Sequence, residues 1–192
     1  MLVLASASPR RRDLLTELGV AFSVRAAAVD ETPPPRAAPD AAAREIAQRK
    51  ALAVLADAPG ATVLAADTIV VAADGEFLGK PADAADARRM LGKLSGTTHR
   101  VVTGVCLAKS GAAPQTLSET TAVTMRPLTP AEIDAYVASG ECFDKAGAYA
   151  IQESGDRFVT RVDGSWTNVV GLPMEPVVRM LRGAGVETRA WE

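Results

Sequence analysis

Several charged side chains in this sequence stand where solvent alone does not account for them. Arg11 precedes Leu14, Leu15 and Leu18 by three, four and seven residues, so on a helix it shares their stripe. Lys50 lies four residues after Ile46 and four before Val54, inside an apolar arc. Asp67 interrupts Thr62–Ala73, an apolar, β-branched run that reads as a strand buried on both faces. Glu31 follows Asp30 at the start of a proline-rich loop, Lys80 is held between Gly79 and Pro81, and Lys145 sits among small residues. Inward cations with isolated carboxylates suit a metal-bound polyphosphate: the cations hold phosphate oxygens, the carboxylates hold Mg²⁺ and activate water. Each group also has an ordinary structural reading. Arg11 and Lys50 can snorkel past the core, Lys80 can be a surface lysine, and Asp67 can belong to a buried ion pair.

The elements that must position these groups follow from periodicity and caps. Leu2 to Ala5 reads as a buried strand; Ser8 is a good N-cap and Pro9 suits the first helical position. The helix ends at Gly19. Arg10, Arg11 and Arg12 occupy its first turn, where the helix dipole disfavours each by roughly 0.3–1 kcal/mol. An anion at the helix start reverses that sign. Val20–Val24 predicts a strand. Pro33–Pro35 hold the following loop extended. A second helix runs from Pro39 to about Leu55, with Ala43, Ile46, Ala47, Ala51 and Val54 inward and Glu45 outward. Asp74-Gly75 signals a hairpin returning through Glu76–Leu78. A third helix buries Ala87, Met90, Leu91 and Leu94. Thr97–Ala108 and Thr116–Met125 predict two antiparallel strands, and a helix follows from Pro130 to about Ala138. Gly140–Gln152 predicts a site-building loop that runs into a strand. A strand over Phe158–Val162, a turn over Asp163–Asn168 and a last helix burying Val177, Val178 and Leu181 complete the chain.

Composition excludes several classes. The chain of 192 residues suits one domain with ample core, and 48% hydrophobic with 23% charged residues is ordinary globular usage. A net charge of −2 and 4% aromatics leave neither a basic field nor stacking platforms, so strong nucleic-acid binding is not expected. No apolar run approaches the ~18 residues of a membrane span, and the N-terminus does not read as a signal peptide. Cys106 and Cys142 lack metal-ligand spacing and read as reduced, buried thiols of a cytoplasmic protein. His99, the only histidine, has no nucleophile beside it and reads as structural. Neither a P-loop nor a dinucleotide-binding glycine fingerprint is present. Phosphate chemistry follows from the residues; a nucleotide does not.

The joint pattern of Ser6-Ala-Ser-Pro-Arg-Arg11, Asp30-Glu-Thr32, Ala66-Asp-Thr68, Gly79-Lys-Pro81, Ser95-Gly96, Thr103-Gly104, Asp144-Lys-Ala-Gly147 and Val170-Gly-Leu-Pro173 resembles the Maf family over almost the whole chain. The resemblance implies a nucleoside triphosphate pyrophosphatase, yielding monophosphate and pyrophosphate. It implies a single domain over 1–192 with the inosine-triphosphatase-like α/β fold: an elongated, twisted mixed sheet flanked by helices, with two lobes around a cleft. A divalent cation, Mg²⁺ or Mn²⁺, and a homodimer come with it. By the same resemblance Asp67 matches the proton acceptor and a metal ligand, Glu31 a metal ligand, and Ser8, Arg11, Lys50 and Lys80 the phosphate site. Arg10, Thr68 and Gln152 match positions of base choice. Arg10, Thr68 and Ile151-Gln152 are similar to the branch acting on dTTP and UTP. The 7-methyl-GTP branch typically carries an aromatic after the motif proline and Gln after the Asp. Ala150 and Trp166 depart from the common Gly and Tyr. A 7-methyl-GTP-type enzyme and a non-enzymatic regulator of septum formation are the alternatives.

Overall fold

The alternation of apolar strands and amphipathic helices is realised as a mixed α/β fold with a seven-stranded sheet flanked by helices. The computed structural model describes residues 1–152 and 154–191. In chain order the elements are β1 (Leu2–Leu4), α1 (Pro9–Glu17), β2 (Phe22–Val24), α2 (Pro39–Asp57), β3 (Thr62–Val71), β4 (Phe77–Leu78) and α3 (Ala84–Leu94). They continue with β5 (Thr98–Lys109), β6 (Gln115–Met125), α4 (Pro130–Ser139), β7 (Val159–Asp163), α5 (Trp166–Val170) and α6 (Met174–Gly183). The strand order is β2-β1-β3-β5-β6-β7, with β4 pairing β3 off this path. β1 runs parallel to β2 and β3, whereas β4 on β3 and β7 on β6 are antiparallel. No described helix is long and apolar enough to cross a membrane.

The chain divides into two compact units, each with its own core. The first comprises residues 1–67, 103–119 and 171–192; the second comprises 68–102 and 120–170. In the first, Ala47, Ala51 and Val54 of α2 pack with Val3 and Ala5, Val63 and Ala65, and Cys106 and Ala108. The approach of α2 to β5 is close at Gly104, where an added Cβ would overlap the Ala43 carbonyl group and the Arg44 amide. In the second, α3 contributes Ala87, Met90, Leu91 and Leu94 to a core completed by Val101, Val123, Tyr136, Tyr149 and Phe158. His99 lies in this unit at 1% exposure. Its Nε2 is 2.7 Å from the Tyr149 hydroxyl. Both cysteines are buried and free, and burial raises the thiol pKa of each, for Cys106 to about 11.

Two local expectations are corrected. Residues 163–168 do not form a simple turn, because α5 begins within them. Ser165 Oγ accepts from the Asn168 amide at 3.2 Å, starting a helical turn, and Asn168 Nδ2 donates to the Val101 carbonyl and Thr121 Oγ1 at 3.0 Å each. Gly140–Gln152 does not run into a strand either. A 3₁₀ turn occupies Ala146–Ala148, and Gly147 and Ala148 both have positive φ (71° and 62°), which interrupts extended backbone; the next strand begins at Val159.

Two stability predictions follow from this packing. Gly104→Ala forces backbone apart at the α2–β5 contact and is expected to cost about 3 kcal/mol or more, read as a lower urea-unfolding midpoint. Burial lowers the His99 pKa from 6.5 to about 4. The unfolded chain therefore binds a proton that the folded chain refuses. Stability is undiminished above pH 6.5, falls as pH drops from 6.5 to 4, and then levels, a loss on the order of 3 kcal/mol. Unfolding midpoints taken across that range should show the decline, and His99→Gln should flatten it.

Candidate active site

The first unit gathers its charges around Lys50. The inward stripe of α2 carries Lys50 to 7% exposure and the β3 run carries Asp67 to 8%. Burial of either charge alone is costly, and here they are paired. Lys50 Nζ donates to Asp67 Oδ1 at 2.8 Å and stands 3.0 Å from Glu31 Oε1. Glu31 is held by a clasp that sequence reasoning missed. The neighbouring Arg49 donates through Nη1 to the carbonyls of Asp30 and Thr32, on either side of Glu31, at 3.4 and 3.1 Å. Arg49 is steadied in turn by Glu45 one helical turn back. Asp30 closes the bend by accepting from the Thr32 amide at 2.9 Å, and the Thr32 hydroxyl together with that amide lowers its pKa.

The start of α1 supplies the second cationic group. Ser8 caps the helix by accepting from the Arg11 amide at 3.4 Å, and the first turn holds no acidic residue. Arg11 is half-buried, as its place on the leucine stripe predicts, and Arg12 is exposed beside Asp13. Arg11 Nε donates to the Gly171 carbonyl at 2.7 Å and Nη1 to Ser6 Oγ at 3.3 Å, and Ser6 Oγ also accepts from the Ser8 amide at 3.2 Å. Burial lowers the Arg11 pKa; the charges of Asp67 and Glu31 oppose that shift, and Arg10 reinforces it. A bound anion would act in the same sense as those carboxylates. Ser6 and Gly171 belong to the sequence motifs, but nothing in the motifs showed that both would anchor Arg11.

The second unit holds the remaining candidates. Thr68, the residue after Asp67, is half-buried on β3; Lys80 follows β4 and is exposed; Gln152 lies exposed in a turn. The Gly79 carbonyl accepts from the Gly147 amide at 3.0 Å, so the backbone before Lys80 is tied to the 3₁₀ turn. Lys145 does not present its ammonium to a ligand: at 5% exposure, Nζ donates to Asp144 Oδ1 at 2.7 Å and to the Glu141 carbonyl at 2.5 Å. Trp166 is 44% exposed.

Among the described residues no group of three or more His, Cys, Asp or Glu side chains is placed to hold a metal. Glu31 and Asp67, reaching the same ammonium, form a two-carboxylate donor set. That set fits Mg²⁺ or Mn²⁺, which take one or two carboxylates and complete their shell with water and substrate phosphates. Chemically, the unit offers two cations for phosphate oxygens and one buried carboxylate able to accept a proton.

A family model described as Maf-like protein matches residues 1–184. Proteins named dTTP/UTP pyrophosphatase are similar along nearly their full length. The one from Salinibacter ruber is 52% identical over 95% of this chain and 90% of its own. The one from Anaeromyxobacter sp. is 54% identical over 96% and 89%, and that from Myxococcus xanthus 52% over 97% and 93%. Among solved structures, the Staphylococcus aureus Ham1 protein aligns with a TM-score of 0.51 and 17% identity over 95% of this chain and 98% of that one, which shows a shared fold.

The Lys50–Asp67 pair can be tested by a mutant cycle. Lys50→Met leaves Asp67 buried without its cation and should destabilise the protein by about 3–5 kcal/mol. Adding Asp67→Asn removes the stranded charge and should recover most of that loss in urea unfolding, giving a strongly non-additive cycle.

Proposed function

The chain belongs to the Maf family, and from that premise we propose that it hydrolyses dTTP and UTP to the nucleoside monophosphate and pyrophosphate. The observation that carries the chemistry is the buried Asp67 carboxylate, paired to Lys50 and accompanied by Glu31 and Arg11. The relatives' name supplies the substrate. Related and modified pyrimidine triphosphates fall within the same reading, which makes the enzyme a house-cleaner of the nucleotide pool.

In this mechanism Arg11 and Lys50 bind phosphate oxygens, with Ser8 ordering the helix start beneath them. Lys80 adds a third phosphate contact. Asp67 accepts a proton from a water as its oxygen attacks the α-phosphorus. The bond from that phosphorus to the bridging oxygen breaks, and pyrophosphate leaves with the electron pair. Glu31 and Asp67 would hold a divalent cation, Mg²⁺ or Mn²⁺, which when bound neutralises phosphate charge. Arg10, Thr68 and Gln152 select the base. A homodimer and a cytoplasmic setting belong to the proposal through the family resemblance alone.

A panel of triphosphates that includes 7-methyl-GTP, followed by phosphorus NMR of the products, tests the assignment. UTP and dTTP should give the monophosphate and pyrophosphate. Release of orthophosphate, or no turnover of any pyrimidine triphosphate, would overturn it. Asp67→Asn should lower kcat by about 10²–10⁴-fold while circular dichroism shows an intact fold; an active variant removes Asp67 from this role.

A further inference from the structure

The second unit contains a polar pair that the proposed chemistry does not use. His99 and Tyr149 are 1% and 5% exposed, come from β5 and from the segment after the 3₁₀ turn, and meet through Nε2 and the hydroxyl at 2.7 Å. Their rings are also packed edge to face, with centroids 5.4 Å apart and planes at 88°. His99 Nδ1 is buried without a hydrogen-bond partner among the described residues. A buried imidazole half-satisfied by one phenol is a poor choice for core stability, since leucine would fill such space without desolvation cost. The bond therefore invites a role beyond filling the core.

The backbone it holds is unusual. Directly before Tyr149, Gly147 and Ala148 both adopt positive φ, and for Ala148 that conformation is strained. Ala148 is fully buried, and the Gly147 Cα lies against Val70, where an added Cβ would stand 3.0 Å from a Val70 methyl. Such a corner persists only where its surroundings over-determine it. Its two exits lead to proposed substrate residues. The Gly147 amide donates to the Gly79 carbonyl at 3.0 Å, immediately before Lys80, and Gln152 lies three residues beyond Tyr149. Close to it, the Ala150 carbonyl oxygen is 2.6 Å from where a Gly155 Cβ would stand, so Gly155 approaches Ala150 as only glycine can.

We propose that His99 and Tyr149 are positioning residues: their bond holds the strained corner at 147–149, which in turn sets the Lys80 loop and the Gln152 turn for phosphate and base. The proposal rests on the pyrophosphatase reading. Tyr149→Phe deletes one oxygen from a buried ring and preserves its volume. It is expected to raise KM for UTP and dTTP by about tenfold, an effect in keeping with small displacements of positioning groups, and to reduce discrimination between bases while kcat moves less. His99→Leu should behave alike, and His99→Gln, which retains a hydrogen-bonding group, should restore much of the selectivity. Amide exchange supplies a readout independent of turnover: in Tyr149→Phe the Gly147 and Ala148 amides, which donate to the Gly79 and Lys145 carbonyls, should exchange faster while the amides of α3 keep their protection. Unchanged KM and base preference in an active Tyr149→Phe enzyme would overturn the role in substrate binding. Unchanged exchange at Gly147 and Ala148 would overturn the hold on the corner. A wild-type protein inactive on every pyrimidine triphosphate sinks the pyrophosphatase reading instead, and the exchange result still decides whether the pair holds the corner.

Discussion

The carboxylates of the candidate site are arranged around one ammonium group. Lys50 is buried, so its charge must be met where it stands, and Asp67 meets it from a strand that is otherwise apolar. Either burial is costly without the other. The pairing therefore constrains the distance of α2 from β3, the rotation of α2 about its axis, and the register that brings Asp67 to that point. Glu31 joins from a loop outside helix and strand, and the clasp of Arg49 on the flanking carbonyls takes the place of secondary structure there. Adjacent residues of one helix thus divide the labour: Lys50 faces inward to the carboxylates, and Arg49 secures the loop that delivers the second of them.

The arginines at the start of α1 present the complementary case. Their charge is opposed by the helix dipole and, for Arg11, by burial. Ser8 caps the helix start, and Ser6 and the Gly171 carbonyl orient the Arg11 guanidinium. Negative charge brought to this helix start is favoured by the free amides, the dipole and the guanidinium groups alike, which is the arrangement expected where binding energy is to be directed at phosphate.

Much of this was legible beforehand, for a physical reason. Helical spacing reports direction, so the inward placement of Lys50 and Arg11 could be read from their neighbours, and the apolar run around Asp67 reported its burial. What periodicity cannot report is which distant groups meet. The carbonyl that receives Arg11 Nε lies 160 residues away, and the histidine that reads as structural finds its tyrosine 50 residues on. Lys145 shows the same limit from the other side: its composition suited a ligand site, but Asp144 and the Glu141 carbonyl claim its charge. The helix at Trp166–Val170 escaped because a five-residue element has no periodicity to read and depends on Ser165 and Asn168 for its anchorage.

The small residues of the first core bear on reach as well as volume. Ala47, Ala51, Ala65 and Ala108 line the contact between α2 and the sheet, and Gly104 lets the helix backbone come close enough that even a methyl group would intrude. The lysine stem has a fixed length, so the depth at which its charge arrives depends on how near the helix axis stands. A larger side chain at any of these positions would lift the axis and draw the ammonium back from its carboxylates, even with every charged residue left in place. The abundance of alanine acts as a spacer setting: what is missing from these side chains decides where the charge arrives.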